Sequence, residues 1–143
     1  MKKLLFFISV LALLINCASP KNNSATKDNQ TAIIGDTIKI VNEELEYEIT
    51  IIDAAFNSWF YGNAQPRGYY SQSYLEGRNR PWVIEYNQRV MQPLRFGTSL
   101  YIMQIDYQHN IDYGYEVNYM LFNYLVYFQQ VNKQNLGTFM ARP

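Results

Sequence analysis

The chain has 143 residues, with 12 Lys+Arg against 12 Asp+Glu, one His, one Cys, and 16% aromatic residues made up mainly of 13 Tyr and 8 Phe. That length suits one domain of about 100–150 residues with a short extension. Balanced, scattered charge lacks the basic footprint that nucleic acid demands, so nucleic-acid binding is disfavoured. A lone cysteine and a lone histidine exclude an internal disulfide and a zinc site with two imidazoles.

Met1-Lys2-Lys3 opens the chain, and Leu4 to Ile15 is apolar except for Ser9. Such a run is too short to cross about 30 Å of hydrocarbon, but it has the charged and apolar regions of a signal peptide. Cys17, the only cysteine, follows at once. The junction resembles the lipobox of bacterial lipoproteins, with Asn16 standing where Gly, Ala or Ser is usual. The resemblance implies a signal peptide over 1–16, acylation of Cys17 (palmitate among the chains), and attachment to a membrane. No acidic residue occurs before Asp28, so the expected location is the outer membrane of a bacterial cell envelope, facing the periplasm. Without Lys2 and Lys3, the mature chain has ten basic against twelve acidic residues and a net charge of −2.

Ala18 to Thr31 is polar and lacks periodicity, so it cannot offset the entropy of ordering, and a flexible stalk is expected over 17–33. A single globular domain is expected over 34–143. In it, Ile38 and Ile40 alternate with polar residues, and Leu45, Tyr47, Ile49 and Ile51 do so again after Asn42-Glu43-Glu44. Period-two patterning predicts an antiparallel β-hairpin.

Asp53 can cap a helix from Ala54 to about Tyr61, with Phe56, Trp59 and Phe60 on one face. Ser73 and Glu76 have capping-box spacing, but Gly77 should stop that helix within a turn. A helix from Arg80 to Met91, with Asn79 as N-cap and Pro81 in its first turn, places Trp82, Val83, Tyr86 and Val90 on one face and pairs Glu85 with Arg89. Ser99–Tyr107 is a candidate third strand. Tyr115–Gln130 is apolar over most of its circumference yet too short and polar to span a membrane, and is expected as the most buried helix. The predicted fold is α+β: one small domain in which the hairpin, with the third strand, packs on about three helices.

No Gly-x-Ser-x-Gly elbow marks any of Ser58, Ser71, Ser73 or Ser99. Asp106, His109 and Asp112 recur every three residues, but a polar loop with Asp112 capping the last helix accounts for them without a metal. Neither a catalytic set nor a cofactor emerges, so the chain reads as a non-catalytic binding or scaffolding protein. A second reading is a small hydrolase with paired carboxylates drawn from Glu76, Glu85, Asp106, Asp112 and Glu116. A third has helix 115–130 docking on a partner.

The segment PRGYYSQSYLEGRNRPW, from Pro66 to Trp82, carries the best binding argument. Arg67, Arg78 and Arg80 offer planar forks to carboxylate or phosphate, and Tyr69, Tyr70, Tyr74 and Trp82 offer flat faces with polar tips, suited to an envelope protein, a peptide or a glycan. The competing reading buries Trp82 and some tyrosines and pairs the arginines with Glu76 or Glu85.

Together with Cys17, DTIKIVNEELEYEITIID, PRGYYSQSYLEGRNRPWVIEYNQRV and MQIDY…NIDYGYEVNYMLFNYLVYF are similar to a family of small uncharacterised lipoproteins from Bacteroidota that carries a domain-of-unknown-function label. The resemblance covers Asp36 to about Phe128. It implies compartment and single-domain character and supplies no catalytic residues.

Overall fold

The computed structural model describes residues 30–34, 37–42 and 47–143, and for the strand residues up to 52 it describes the backbone alone. The expected signal peptide, Cys17 and the stalk as far as residue 29 lie outside the described residues. Strands β1 (Gln30–Ile34), β2 (Thr37–Asn42) and β3 (Tyr47–Ile52) run antiparallel in the order β1-β2-β3, with Ile38 opposite Ile51 and Ile40 opposite Ile49. The paired backbone thus begins at Gln30, ahead of the domain boundary that composition suggested at residue 34.

From Asp53 onward the chain is helical. Helix α1 (Ala54–Asn63) begins at Asp53, whose Oδ1 accepts from the N–H groups of Ala55 (2.9 Å) and Phe56 (3.1 Å), satisfying donors that the helix leaves unpaired. It buries Phe56 and Phe60. Helix α2 spans Gln72–Val90, a short α3 spans Pro93–Phe96, and α4 spans Gly114–Val131. Nearly every residue of α4 between Val117 and Gln129 is buried, so it is the central helix that the others surround. Trp82 of α2 stacks on Phe122 of α4 (5.6 Å, 26°), and Tyr86 and Tyr101 both meet Phe128 edge-on.

The expected α+β fold class is corrected. Residues 53–143 contain no strand and no sheet, and every buried side chain described comes from their helices and loops. The candidate strand at 99–107 is irregular. Its backbone is satisfied by side chains instead of a neighbouring strand. Asn87 donates from Nδ2 to the carbonyl of Ile105 (2.8 Å) and accepts from its N–H (2.8 Å), and the N–H of Gln108 donates to the Tyr113 hydroxyl (2.9 Å).

A second correction concerns α2, which starts at Ser71, whose Oγ accepts from the N–H of Tyr74 (3.3 Å), and runs through Gly77, Asn79 and Pro81. Asn79 is no N-cap; it is fully buried in mid-helix and donates to the backbone carbonyl of Asn118 (2.9 Å). An interior Gly costs about 1 kcal/mol and an interior Pro about 3 kcal/mol. Burial of Leu75, Trp82, Val83 and Tyr86 against α4, at about 1.5–3 kcal/mol each, outweighs both. The start of α4 also shifts in detail: Tyr113 holds the cap position without a side-chain bond, while Asp112 Oδ1 accepts from the N–H of Gly114 (2.9 Å).

The polar residues of α4 do not make a solvent-facing stripe. Asn123 turns its Nδ2 to the carbonyl of Tyr119 (2.8 Å), and Gln129 takes the N–H of Leu136 (2.8 Å), which ties the C-terminal segment down. No described helix is long and apolar enough to cross a membrane. Between Val117 and Gln129, α4 is wrapped by its own chain, which leaves little of that helix to offer a partner.

Candidate functional site

The five candidate binding residues separate into two groups. Arg67 belongs to a turn in which the N–H of Tyr69 donates to the carbonyl of Pro66 (3.1 Å) and Gly68 has φ 85, a conformation that favours glycine. The turn is fixed to the first turns of α4: Gly68 donates to the Tyr115 hydroxyl (2.7 Å), and the Tyr119 hydroxyl donates to the carbonyl of Gln65 (2.6 Å). Arg67 forks onto Glu116, with Nε at 2.8 Å from Oε2 and Nη2 on Oε1, and its guanidinium lies over the Tyr119 ring (4.9 Å). The hydrogen bond to Glu116 raises the Arg67 pKa above its ordinary value, against the opposing effect of burial. Arg67 is therefore a clamp between loop and helix. Arg80 is engaged too, at 3.4 Å from Glu76 one turn earlier on α2.

Tyr69, Tyr70 and Arg78 have different surroundings. Tyr70 stacks on Tyr74 (4.5 Å, 9°), Tyr69 meets Tyr70 edge-on (4.7 Å, 90°), and the Tyr70 hydroxyl donates to the carbonyl of Pro143 (3.2 Å). Burial raises the Tyr70 phenol pKa, with Tyr74 and Tyr69 adding to the shift and Arg78 opposing it. Arg78, one turn beyond Tyr74, places its guanidinium over the rings of Tyr74 (5.1 Å) and Phe139 (4.0 Å). Among the described residues it has no carboxylate partner.

Tyr70 and Arg78, though not Tyr69, border a cleft of about 390 Å³ between α2 and the segment 138–142. Tyr74, Arg78 and Trp82 line it at four-residue spacing along α2, and Arg142 faces it from the C-terminal segment. Among the described residues no acidic side chain contributes to the wall. Trp82 is almost fully buried there, and its indole N–H has no acceptor among the described residues. The sequence reading missed Arg142 and Phe139. The 74–78–82 line was visible in the sequence, but placing the helix start at Asn79 broke it.

A second cleft, of about 380 Å³, brings Glu76 and Asp112 together with Arg80 and His109. The Gln72 amide donates to Glu76 Oε1 (2.8 Å) and to Asp112 Oδ1 (2.7 Å). Glu85 is not part of it and pairs with Arg89 (2.8 Å), whose other nitrogens hold the Tyr101 hydroxyl (2.8 Å) and the carbonyl of Asn135 (2.6 Å). Among the described residues no group of three or more His, Cys, Asp and Glu side chains could hold a metal ion.

The fold and clefts define a small helical body with an aromatic, cationic cleft. Residues 5–140 match the family of unknown function DUF6146, and the chain belongs to that family. Neither a curated protein nor a solved structure matches it.

Proposed function

We propose that this chain is a lipoprotein of the bacterial cell envelope, of the kind found in Bacteroidota, acylated at Cys17, held at the outer membrane facing the periplasm, and acting as a non-catalytic binding or scaffolding protein. The observation that carries the binding role is Arg78: a guanidinium without a carboxylate partner among the described residues, held between two aromatic rings at a cleft with no acidic wall. Desolvated arginine and tyrosine dominate recognition surfaces, because a planar fork and a rigid ring lose little entropy on contact.

Of the five candidates, Tyr70 and Arg78 line the cleft and are the binding residues, while Tyr69 packs edge-on against Tyr70 beside it. Arg67 and Arg80 support the fold around them. The test is in-cell photocrosslinking from positions 74 and 78, with positions 67 and 80 as controls. Capture confined to 74 and 78 supports the reading. Equal capture at all four positions, or none at 74 and 78, removes it.

A second reading has a specific observation behind it. Because one Gln72 nitrogen bonds both carboxylates, the bonded oxygens of Glu76 and Asp112 stand no more than about 5.5 Å apart, which brings the pair to the short edge of the separation of about 5–10 Å used in paired-carboxylate hydrolysis. Glu76 is also tied to Arg80, which leaves this pair better satisfied than Arg78 and ranks the hydrolase second. Turnover of chromogenic glycosides that disappears in both Glu76→Gln and Asp112→Asn supports it, and absence of turnover by the wild type removes it.

A further inference from the structure

We infer that the cleft beside Arg78 binds an acidic saccharide, a pyranose unit carrying a carboxylate. This rests on the reading of that cleft as the binding surface and adds the chemistry of its occupant. Two guanidiniums, those of Arg78 and Arg142, face the cleft and no acidic side chain among the described residues does, which favours an occupant that carries negative charge. Arginine forks match a carboxylate or phosphate in two parallel bonds.

The cleft volume and walls narrow the class. A volume of about 390 Å³ lies in the range of organic-ligand sites and far exceeds a single inorganic oxyanion. The aromatic wall gives an oxyanion nothing to use, but the negative face of a ring attracts the C–H face of a pyranose. Tyr74 already carries Tyr70 and Arg78 against its ring, whereas Phe139 carries Arg78 alone and keeps 51% of its surface exposed, so Phe139 is the plate left for such contact. A hydrocarbon chain would leave two guanidiniums unpaired. A peptide that adds as a strand needs a free sheet edge, and residues 53–143 offer none. The lining here is α2, Phe122 of α4 and the irregular segment 138–142, whose polar atoms include the Thr138 hydroxyl and the tyrosine tips. Side-chain donors distributed around aromatic plates suit the hydroxyl groups and ring faces of a sugar.

The experiment is calorimetric titration of the full chain in detergent with four probes: a trimer of galacturonate, the neutral galactose trimer, inorganic phosphate, and a pentapeptide with a free carboxylate. The acidic trimer is expected to bind, with the neutral trimer about tenfold weaker and Arg78→Gln weakening the acidic trimer about tenfold, the loss of one charge-assisted pair. Arg67→Gln should leave that affinity unchanged, because Arg67 is occupied by Glu116. Equal affinity for both trimers, tighter binding of phosphate or peptide, or no binding of the acidic trimer by protein with an intact helical spectrum overturns the inference. Crosslinks from position 78 without saccharide binding would remove the saccharide alone. Absence of both would remove the binding reading as well.

Discussion

Arg67 and Glu116 are 49 residues apart in the chain and are joined through both Nε and Nη2, in a fork that closes the 66–69 turn onto the first turn of α4. A carboxylate in the first turn also interacts favourably with the helix dipole. The Arg67 side chain keeps 51% of its surface exposed, so solvent screens much of the pairing. Arg67→Ala is expected to lower stability by about 0.5–1 kcal/mol in urea denaturation, in line with exposed pairs of good geometry. A loss well above that range would mean the turn depends on Arg67 for more than this pair.

Helix α2 carries two residues that oppose helix formation, and each gives a prediction. Gly77 is helical and a Cβ there would meet nothing within 4 Å, so Gly77→Ala should stabilise by about 0.5–1 kcal/mol. Pro81 is exposed, and its ring excludes the hydrogen bond that residue 81 would otherwise make to Gly77. Pro81→Ala should gain about 2 kcal/mol, since the helix gain of about 3 kcal/mol is partly offset by a freer unfolded chain, worth about 0.4–1 kcal/mol. Thermal melts by circular dichroism read both effects. A drop in melting temperature for Gly77→Ala would contradict the open space around that position.

The same two residues explain why α2 was misjudged from sequence. Local propensity places a helix start at Asn79 and a stop at Gly77, and neither rule weighs four apolar side chains that bury against a helix some forty residues further on. The long apolar run of α4 needed no such context and was legible as the central helix, as was the Asp53 cap of α1. At 99–107 the apolar pattern suggested a strand because nothing local signals that Asn87 will supply its hydrogen bonds. Within the candidate site, the aromatic and arginine content was plain. Which arginine would be left over depended on long-range pairing, and Glu116 lies far from Arg67 in the sequence.

Asn118 joins α4 to both α2 and the 99–113 segment. It is fully buried, its Oδ1 accepts from the Tyr107 hydroxyl (2.6 Å) and from Asn79 Nδ2 (3.3 Å), and its Nδ2 donates to the carbonyl of Gly114 (2.8 Å). Asn118→Leu keeps the volume and strands the Tyr107 hydroxyl without its acceptor, so it should cost about 2–4 kcal/mol. Asn79→Ala leaves Asn118 still bonded to Tyr107 and should cost less, about 1–2 kcal/mol. Equal costs in urea denaturation would show that the two asparagines do not form the hierarchy their bonds suggest.

Under the lipid-anchor proposal, Cys17 is the attachment point, and Cys17→Ala should abolish incorporation of labelled palmitate and move the protein from the membrane fraction to the soluble one. The helical body holds no described span to keep it there otherwise. Membrane retention of Cys17→Ala at the wild-type level would remove the anchor from that residue.

Alkaline titration tests the packing around α4. Burial, the largest cause, pushes the Tyr107 and Tyr124 phenols up to about 12, with Glu76 adding to the first and Tyr86 and Asp53 to the second. A raised phenol stays neutral in the fold where the unfolded chain has ionised. The stability each phenol contributes is therefore complete below pH 10 and is lost as pH rises from 10 through about 12. Absorbance of the ionised phenol should accordingly show a late group of tyrosines that titrates together with loss of helical signal. Tyr124→Phe removes one member of that group, and Phe cannot ionise, so the variant should unfold at a higher pH than the wild type. If all 13 tyrosines instead titrated in one step near pH 10 with the helix intact, the close packing of α1 and α2 on α4 would be wrong.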